Sequence, residues 1–245
     1  MPATPATKRD ALLPFLQTAM TEFAIDAPAR MAAFLAQLAH ESGQFRFMEE
    51  IWGPTDAQRR YEPVSTLATN LGNNEVGDGR RFKGRGPIQI TGRANYRRFG
   101  DLLGTDLVAD PARAALPELA FRIAALFWSR KGLNELADRA TPDAFREITR
   151  RINGGFNGFE DRKKFYDVAR TVLGVVEGPV TRDAIDEPVF ERGFEAIRRL
   201  PSRKRPTKKK PAGKKPAGRK PKAKPRAKSR TNSRKKISRK KKKRG

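Results

Sequence analysis

The most constraining feature of this chain is the way its charge is partitioned. Residues 201–245 hold 24 of the 53 lysines and arginines and no acid, which leaves 29 basic residues to face all 27 acidic ones in the first 200. The tail also lacks aromatic residues, and its apolar content is four alanines and Ile237. Such a segment buries too little apolar surface to offset the entropy of ordering, so it is expected to be disordered on its own. Its Pro211-Ala212-Gly213-Lys214-Lys215 is nearly repeated as Pro216-Ala217-Gly218-Arg219-Lys220, a low-complexity pattern. The near-neutral 200 residues before it are long enough for one well-packed domain.

Composition removes several classes of function. With no Cys there is no disulfide, thiolate nucleophile or cysteine metal site, and with one His a histidine zinc site has no second ligand. No metal or other cofactor is expected. No apolar run reaches the ~20 residues needed to span a bilayer. The start, Met1-Pro2-Ala3-Thr4-Pro5, lacks the basic residues and apolar stretch of a secretory signal. The expectation is a chain that is cytoplasmic as synthesised.

Helical periodicity dominates the first 175 residues. Between Asp26 and Gly43, a capping Asp26 and first-turn Pro28 precede Met31, Phe34, Leu35 and Leu38 at helix spacing, with Gly43 as a stop. Similar patterns predict helices over Pro117–Lys131, Asp143–Ile152 and Asp161–Leu173, and a last one over Asp186–Leu200. The stretch from Gly53 to Gly86, rich in Gly, Asn, Pro and charge, reads as a long loop with short strands, a functional signature in a compact domain.

Three clusters carry polar groups suited to chemistry. His40-Glu41-Ser42-Gly43 closes the apolar helix. It is not a metalloprotease HExxH, because position 44 is Gln, and no Gly-x-Ser-x-Gly surrounds any serine. What remains is a carboxylate at a helix end, with Glu49, Glu50, Asp56 and Glu62 following within about twenty residues. Two carboxylates across a cleft are the minimum equipment for glycoside hydrolysis, one protonating the leaving oxygen and the other activating water. On spacing alone the same acids read more readily as solvated surface residues.

The second cluster is Gly84-Arg85-Gly86-Pro87-Ile88-Gln89-Ile90-Thr91-Gly92-Arg93-Ala94-Asn95-Tyr96. It matches neither a dinucleotide fingerprint nor a phosphate loop. On a short strand, Ile88 and Ile90 would point one way and Gln89 and Thr91 the other, setting a hydrogen-bonding row toward a cleft. The third cluster is Ile152-Asn153-Gly154-Gly155 followed by Asp161-Arg162 and Phe165-Tyr166. Trp128, within Leu126-Phe127-Trp128, reads as core, and Trp52 as a residue able to stack on a sugar ring.

In that order, with Gly77-Asp78-Gly79 ahead of the second cluster, these motifs resemble the catalytic domain of glycoside hydrolase family 19, which includes class I chitinases and bacteriophage endolysins. The resemblance covers about residues 10–175. It implies a mainly α-helical, lysozyme-like (α+β) fold with two lobes, a small loop and strand region and a central cleft. It also implies hydrolysis, with inversion and without metal, of a β-1,4 bond beside an N-acetylated sugar. Carried over position by position, it gives Glu41 as proton donor and Glu50 as base, with Glu49 and Glu62 as alternatives for the base. Thr91 becomes a hydroxyl that helps hold the nucleophilic water. Gln89, Asn95, Tyr96 and Asn153 become sugar-binding residues, and Arg162 a cleft-organising arginine. His40 is read evenly as a residue that tunes the acid or binds sugar, and as a hydrogen-bonded structural histidine.

The expected organisation is a catalytic domain over 1–175, a connecting helix and linker over 176–200, and a disordered tail over 201–245. A monomer is expected. Its substrate would be peptidoglycan, ahead of chitin, met at the cell wall after release, with the tail on anionic envelope polymers. The alternative is a polyanion- or nucleic-acid-binding protein that uses the tail and keeps a degenerate hydrolase domain as a glycan-binding module. No aromatics interleave the tail's charges, so base readout has no support.

Overall fold

The computed structural model describes residues 4–176. The helix expected over Asp186–Leu200 and the tail over 201–245 lie outside the described residues. Ten α-helices follow in order: α1 Ala6–Glu22, α2 Pro28–Glu41, α3 Asp56–Arg59, α4 Thr66–Leu71, α5 Asp78–Arg81, α6 Arg93–Leu103, α7 Pro117–Arg130, α8 Leu133–Ala137, α9 Pro142–Asn153 and α10 Phe159–Leu173. A 3₁₀ turn over Pro111–Ala115 precedes α7. The fold is mainly helical, as expected. Strand pairing among the described residues reduces to two isolated antiparallel bridges, Glu49 with Arg85 and Arg85 with Ile90. No helix among them is long and apolar enough to cross a membrane.

The core is arranged around α2, whose residues Met31 to Ala39 are all buried. Its alanines let neighbouring backbones approach closely, and α10 packs along it while α1 packs against α7. Phe34 meets Trp128 edge-on at 5.3 Å, and the Trp128 indole N–H donates to Asn134 Oδ1 at 2.8 Å, so this tryptophan is core with its polar atom satisfied. The second helix begins later than its sequence signal, for Ala27 is the N-cap and Asp26 makes no cap bond.

α7 has two buried faces and serves two clusters. Phe121, Ala124, Ala125 and Trp128 join the cluster built on α1, α2, α9 and α10. Leu119, Ile123 and Leu126, turned the other way, join Phe82, Ile90, Tyr96, Phe99 and Leu107. These clusters are the cores of the two lobes.

The long loop expected between Gly53 and Gly86 is corrected by the structure, because three short helices lie within it. Thr55 and Gln58 form a reciprocal capping box on α3, the Ser65 hydroxyl accepts from Ala68 N–H at the start of α4, and Gly72 closes α4 in the left-handed region. Helices this short do not persist alone, so caps and tertiary bonds hold them. Arg93 supplies one such tie, its guanidinium reaching both oxygens of the buried Asp78 at 2.8 and 2.6 Å.

Candidate active site

Glu41 is the last residue of α2, which carries its carboxylate out of the larger core to an opening where the side chain is 26% exposed. Below it, α10 supplies Arg162, which is 1% exposed. One guanidinium nitrogen donates to Glu41 Oε1 at 2.5 Å and the other to Gln37 Oε1 at 2.7 Å. Gln37 in turn donates to the Thr149 hydroxyl at 2.9 Å, and that hydroxyl donates to the Phe145 carbonyl. A polar chain thus crosses the apolar core from α9 through α2 to α10 and ends on one oxygen of Glu41. Its second oxygen, Oε2, is unengaged among the described residues.

His40 is tied down beside it. Its Nδ1 lies 2.8 Å from Asp161 Oδ2, and Gly158, at φ +72°, fits so closely against the ring that a Cβ there would sit 2.4 Å from Cε1. Burial lowers the imidazole pKa below its ordinary value, and the nearby Arg162 charge adds to this, while the bond to Asp161 opposes it. Of the roles open in the sequence, this geometry fits the hydrogen-bonded histidine that props the end of the acid's helix.

Nine residues beyond Glu41, Glu50 sits in a segment zipped to the glycine-rich cluster. Glu50 N–H donates to the Gly84 carbonyl and Gly86 N–H to the Met48 carbonyl, both at 2.8 Å. The Glu50 carboxylate is gripped at both oxygens, Oε1 accepting from Gln58 Nε2 and Oε2 from Gly84 N–H, each at 2.9 Å. A carboxylate offers about four acceptor sites, so both oxygens keep capacity for water. The nearby negative charge of Glu50, after burial, helps push the Tyr61 hydroxyl pKa up.

The other two candidate bases are differently occupied. Glu49 Oε1 pairs with Arg85 at 2.9 Å and Lys83 at 3.3 Å. Glu62 Oε2 accepts from Gly77 N–H at 2.8 Å and closes the loop ahead of α5.

The short strand expected at Ile88–Thr91 is a turn instead. Gln89 stands at φ +54°, and Arg85 and Ile90 exchange backbone hydrogen bonds across it. Gln89 Nε2 donates to the Gly86 carbonyl at 2.7 Å, and its Oε1 lies where a Cβ on Gly84 would be only 2.6 Å away, so a side chain at position 84 would displace the Gln89 amide. Thr91, half-buried, donates to the Gln89 carbonyl, which leaves its hydroxyl oxygen free to accept. Asn95, in the first turn of α6, donates to the Thr91 carbonyl.

Tyr96 does not reach the opening. It is fully buried, donating to the Lys83 carbonyl and accepting from Arg85 Nη1, and burial pushes its hydroxyl pKa up to about 12. The sugar-contact expectation is corrected: Tyr96 shares the inner face of α6 with Phe99, so it supports the Lys83–Arg85 segment from beneath. Arg162, read from the resemblance as a cleft-organising arginine, is buried too deeply to touch sugar and holds Glu41. Asn153 is exposed at the end of α9, donating to the Asn157 carbonyl at 3.4 Å.

The structure therefore gathers Glu41, His40 and Arg162 at one lobe, and Glu50, Gln89, Thr91 and Asn95 at the other. Sequence reasoning missed Gln37, Gln58 and Thr149, and gave Asp161, named in the third cluster, no role. The first two did leave signals: Gln37 is the polar residue inside an otherwise apolar stretch, and Gln58 stands three residues after Thr55 in a capping-box pattern.

Comparison with known proteins identifies the family. The family model described as chitinase class I matches residues 15–136. A glycosyl hydrolase family 19 domain-containing protein of Haemophilus influenzae is 36% identical over 160 residues, covering 56% of this chain and 76% of that protein. An endochitinase of Arabidopsis thaliana is 40% identical over 131 residues, but the match spans only 41% of its length and 53% of this chain. Among solved structures, chitinase C from Streptomyces griseus superposes with a TM-score of 0.54 at 22% identity, over 72% of this chain and 95% of that one. The class IV chitinase from Zea mays gives 0.52 at 27% identity, over 69% and 83%. None of these supports the alternative of a nucleic-acid-binding protein with a degenerate domain. The residues, their arrangement and these relatives agree that the chain belongs to glycoside hydrolase family 19.

Proposed function

We propose that this chain is an inverting β-1,4-glycosidase acting on N-acetylated cell-wall polysaccharide, with peptidoglycan ahead of chitin as its substrate. The observation that carries the reading is the pair of carboxylates held in unlike ways: Glu41 by Arg162 at one oxygen, and Glu50 by Gln58 and Gly84 at both. Glu41 delivers its proton from the unengaged Oε2 to the leaving glycosidic oxygen. Glu50 takes a proton from water that attacks the anomeric carbon from the opposite face, and the Thr91 hydroxyl steadies that water. Gln89, Asn95 and Asn153 offer amides to sugar hydroxyl and acetamido groups. Support for an anionic polymer comes from the 24 tail cations and from the basic surface beside Glu50.

The test compares Glu41→Gln, Glu49→Gln, Glu50→Gln and Glu62→Gln on chitin oligosaccharides and purified sacculi, with products read by mass spectrometry and initial anomer by NMR. Losses of about 10²-fold or more in turnover are expected for Glu41→Gln and Glu50→Gln, against smaller ones for the other two. An active Glu41→Gln enzyme, or products that first appear with retained configuration, would remove the mechanism. An active Glu50→Gln with an inactive Glu62→Gln would move the base into the loop ahead of α5.

A further inference from the structure

The residues on either side of Gly84, whose N–H holds Glu50, help to line a basic concavity that the proposed hydrolysis does not use. Its volume is about 480 Å³, and Arg80, Arg81, Lys83 and Arg85 line it, with Asp110 its single carboxylate. It is continuous with the catalytic segment through the chain itself. Gly84, whose N–H holds Glu50 Oε2, lies between Lys83 and Arg85, whose side chains form part of its wall. Adjacent Cα atoms are ~3.8 Å apart, so the wall begins one residue from the backbone that grips the base.

The cations are in different states of engagement. Arg85 is buried and spent, on Glu49, the Arg81 carbonyl and the Tyr96 hydroxyl. Arg81 is pinned by its guanidinium to the Val108 carbonyl at 2.9 Å, which fixes its direction while leaving its charge unpaired. Lys83 has one partner, Glu49 at 3.3 Å. Arg80 is exposed and has no hydrogen bond or ion pair among the described residues. Positive charge thus exceeds negative charge in a hollow whose wall continues the chain that grips Glu50, and low-dielectric walls focus its field. A neutral polymer of N-acetylglucosamine offers these cations nothing to pair with. A glycan whose sugars carry lactyl or peptide carboxylates does.

We propose that this concavity is an anion subsite that takes the carboxylates borne by the glycan strand in the cleft, and so selects acidic peptidoglycan-type substrates over neutral chitin. The inference rests on the hydrolase reading above and names the substrate class of that site. Arg80 and Lys83 are the residues with capacity left for a carboxylate, and Arg81 sets the field behind them. Each exposed charge contact is expected to contribute about threefold.

The experiment measures kcat/KM of the full chain on three soluble substrates: peptide-bearing glycan oligomers, the same oligomers with their carboxylates amidated, and chitin oligomers. Wild type is expected to prefer the free carboxylates over the amides by about tenfold, less so as salt rises. Arg80→Gln should lower that ratio about threefold, and the Arg80→Gln/Lys83→Gln double variant should bring it close to one. Arg80 has no partner to lose, so its variant keeps the fold even if replacement of Lys83 disturbs Glu49. A wild-type enzyme indifferent to amidation, or a double variant that keeps the full preference, overturns the subsite while leaving the hydrolase reading intact. Failure of wild type to cleave any of the three overturns the hydrolase reading itself.

Discussion

Alanine in place of Gly158 tests whether the turn after α9 is in hard contact with the helix that carries Glu41. A Cβ at 158 would lie 2.4 Å from His40 Cε1 and 2.5 Å from Nε2. That is about 1 Å inside the ~3.5 Å at which carbon contacts become attractive. The ring is not free to retreat, because its Nδ1 is bonded to Asp161. Two costs follow. A non-glycine residue at φ +72° loses about 1–2 kcal/mol against its relaxed backbone. Overpacking against a fixed ring adds about 1–3 kcal/mol.

The two costs separate in a double-mutant cycle with His40→Ala, which removes the ring and leaves only the backbone cost. Gly158→Ala should destabilise wild type by about 3 kcal/mol and the His40→Ala protein by about 1 kcal/mol, a coupling of about 2 kcal/mol. In thermal denaturation the wild-type cost corresponds to about 6–12 °C for a domain of this size, and urea titration supplies the free energies. Costs that add to within ~0.5 kcal/mol would refute the contact, and with it the view that the turn props His40 and the end of α2.

Arg162→Lys keeps a charge but loses the planar fork that serves Gln37 and Glu41 together. We expect a loss of about 2–3 kcal/mol in stability together with reduced turnover, checked by urea titration and initial rates. His40, with its folded pKa held below 6.5 by burial and Arg162 against the pull of Asp161 and Glu41, binds a proton in the unfolded state first as pH falls. Its stabilising contribution is therefore complete above pH ~6.5 and declines below it, and His40→Gln should flatten that part of the stability–pH curve in urea titrations from about pH 5 to pH 8. Retention of the full chain on sacculi should weaken steeply between ~50 and ~200 mM salt, as expected for capture by its polybasic tail, and salt-independent retention would argue against that role.

What could be read from the sequence follows from how local each signal is. α2 and α7 were legible because their apolar residues recur at helix spacing over three to four turns, and Glu41 was legible as the carboxylate on which such a helix ends. The helices between Gly53 and Gly86 were not, since α3, at four residues, and α4, at six, owe their existence to caps and to bonds from distant residues. The backbone at Gln89 was not legible, because alternation of Ile88 and Ile90 predicts a strand, whereas exchange of hydrogen bonds between Arg85 and Ile90 forms a tight turn with positive φ at its corner. Tyr96 was misplaced for a related reason. A polar tip in a polar motif suggested the cleft, but the inner face of α6 turns it toward Phe82, with ring centroids 5.3 Å apart.

In the proposed mechanism the two carboxylates depend on different lobes. Glu41 is held through Arg162 and Gln37 to Thr149, so its position depends on packing of α2, α9 and α10 within the larger core. Glu50 is held by Gly84, whose neighbours rest on Tyr96 in the smaller core. The segment from Ser42 to Glu49 joins the two and is anchored at its beginning, where Phe45 is buried against Phe121 and its N–H donates to the Ser42 hydroxyl oxygen at 2.7 Å. A change inside either core would therefore move one carboxylate relative to the other without touching either. Because α7 lines both cores, its buried residues control that separation from both sides. Substitutions that change side-chain volume at Phe121 or Ile123 are therefore expected to shift the separation of Glu41 and Glu50, and a turnover unchanged by Phe121→Ala would refute that coupling.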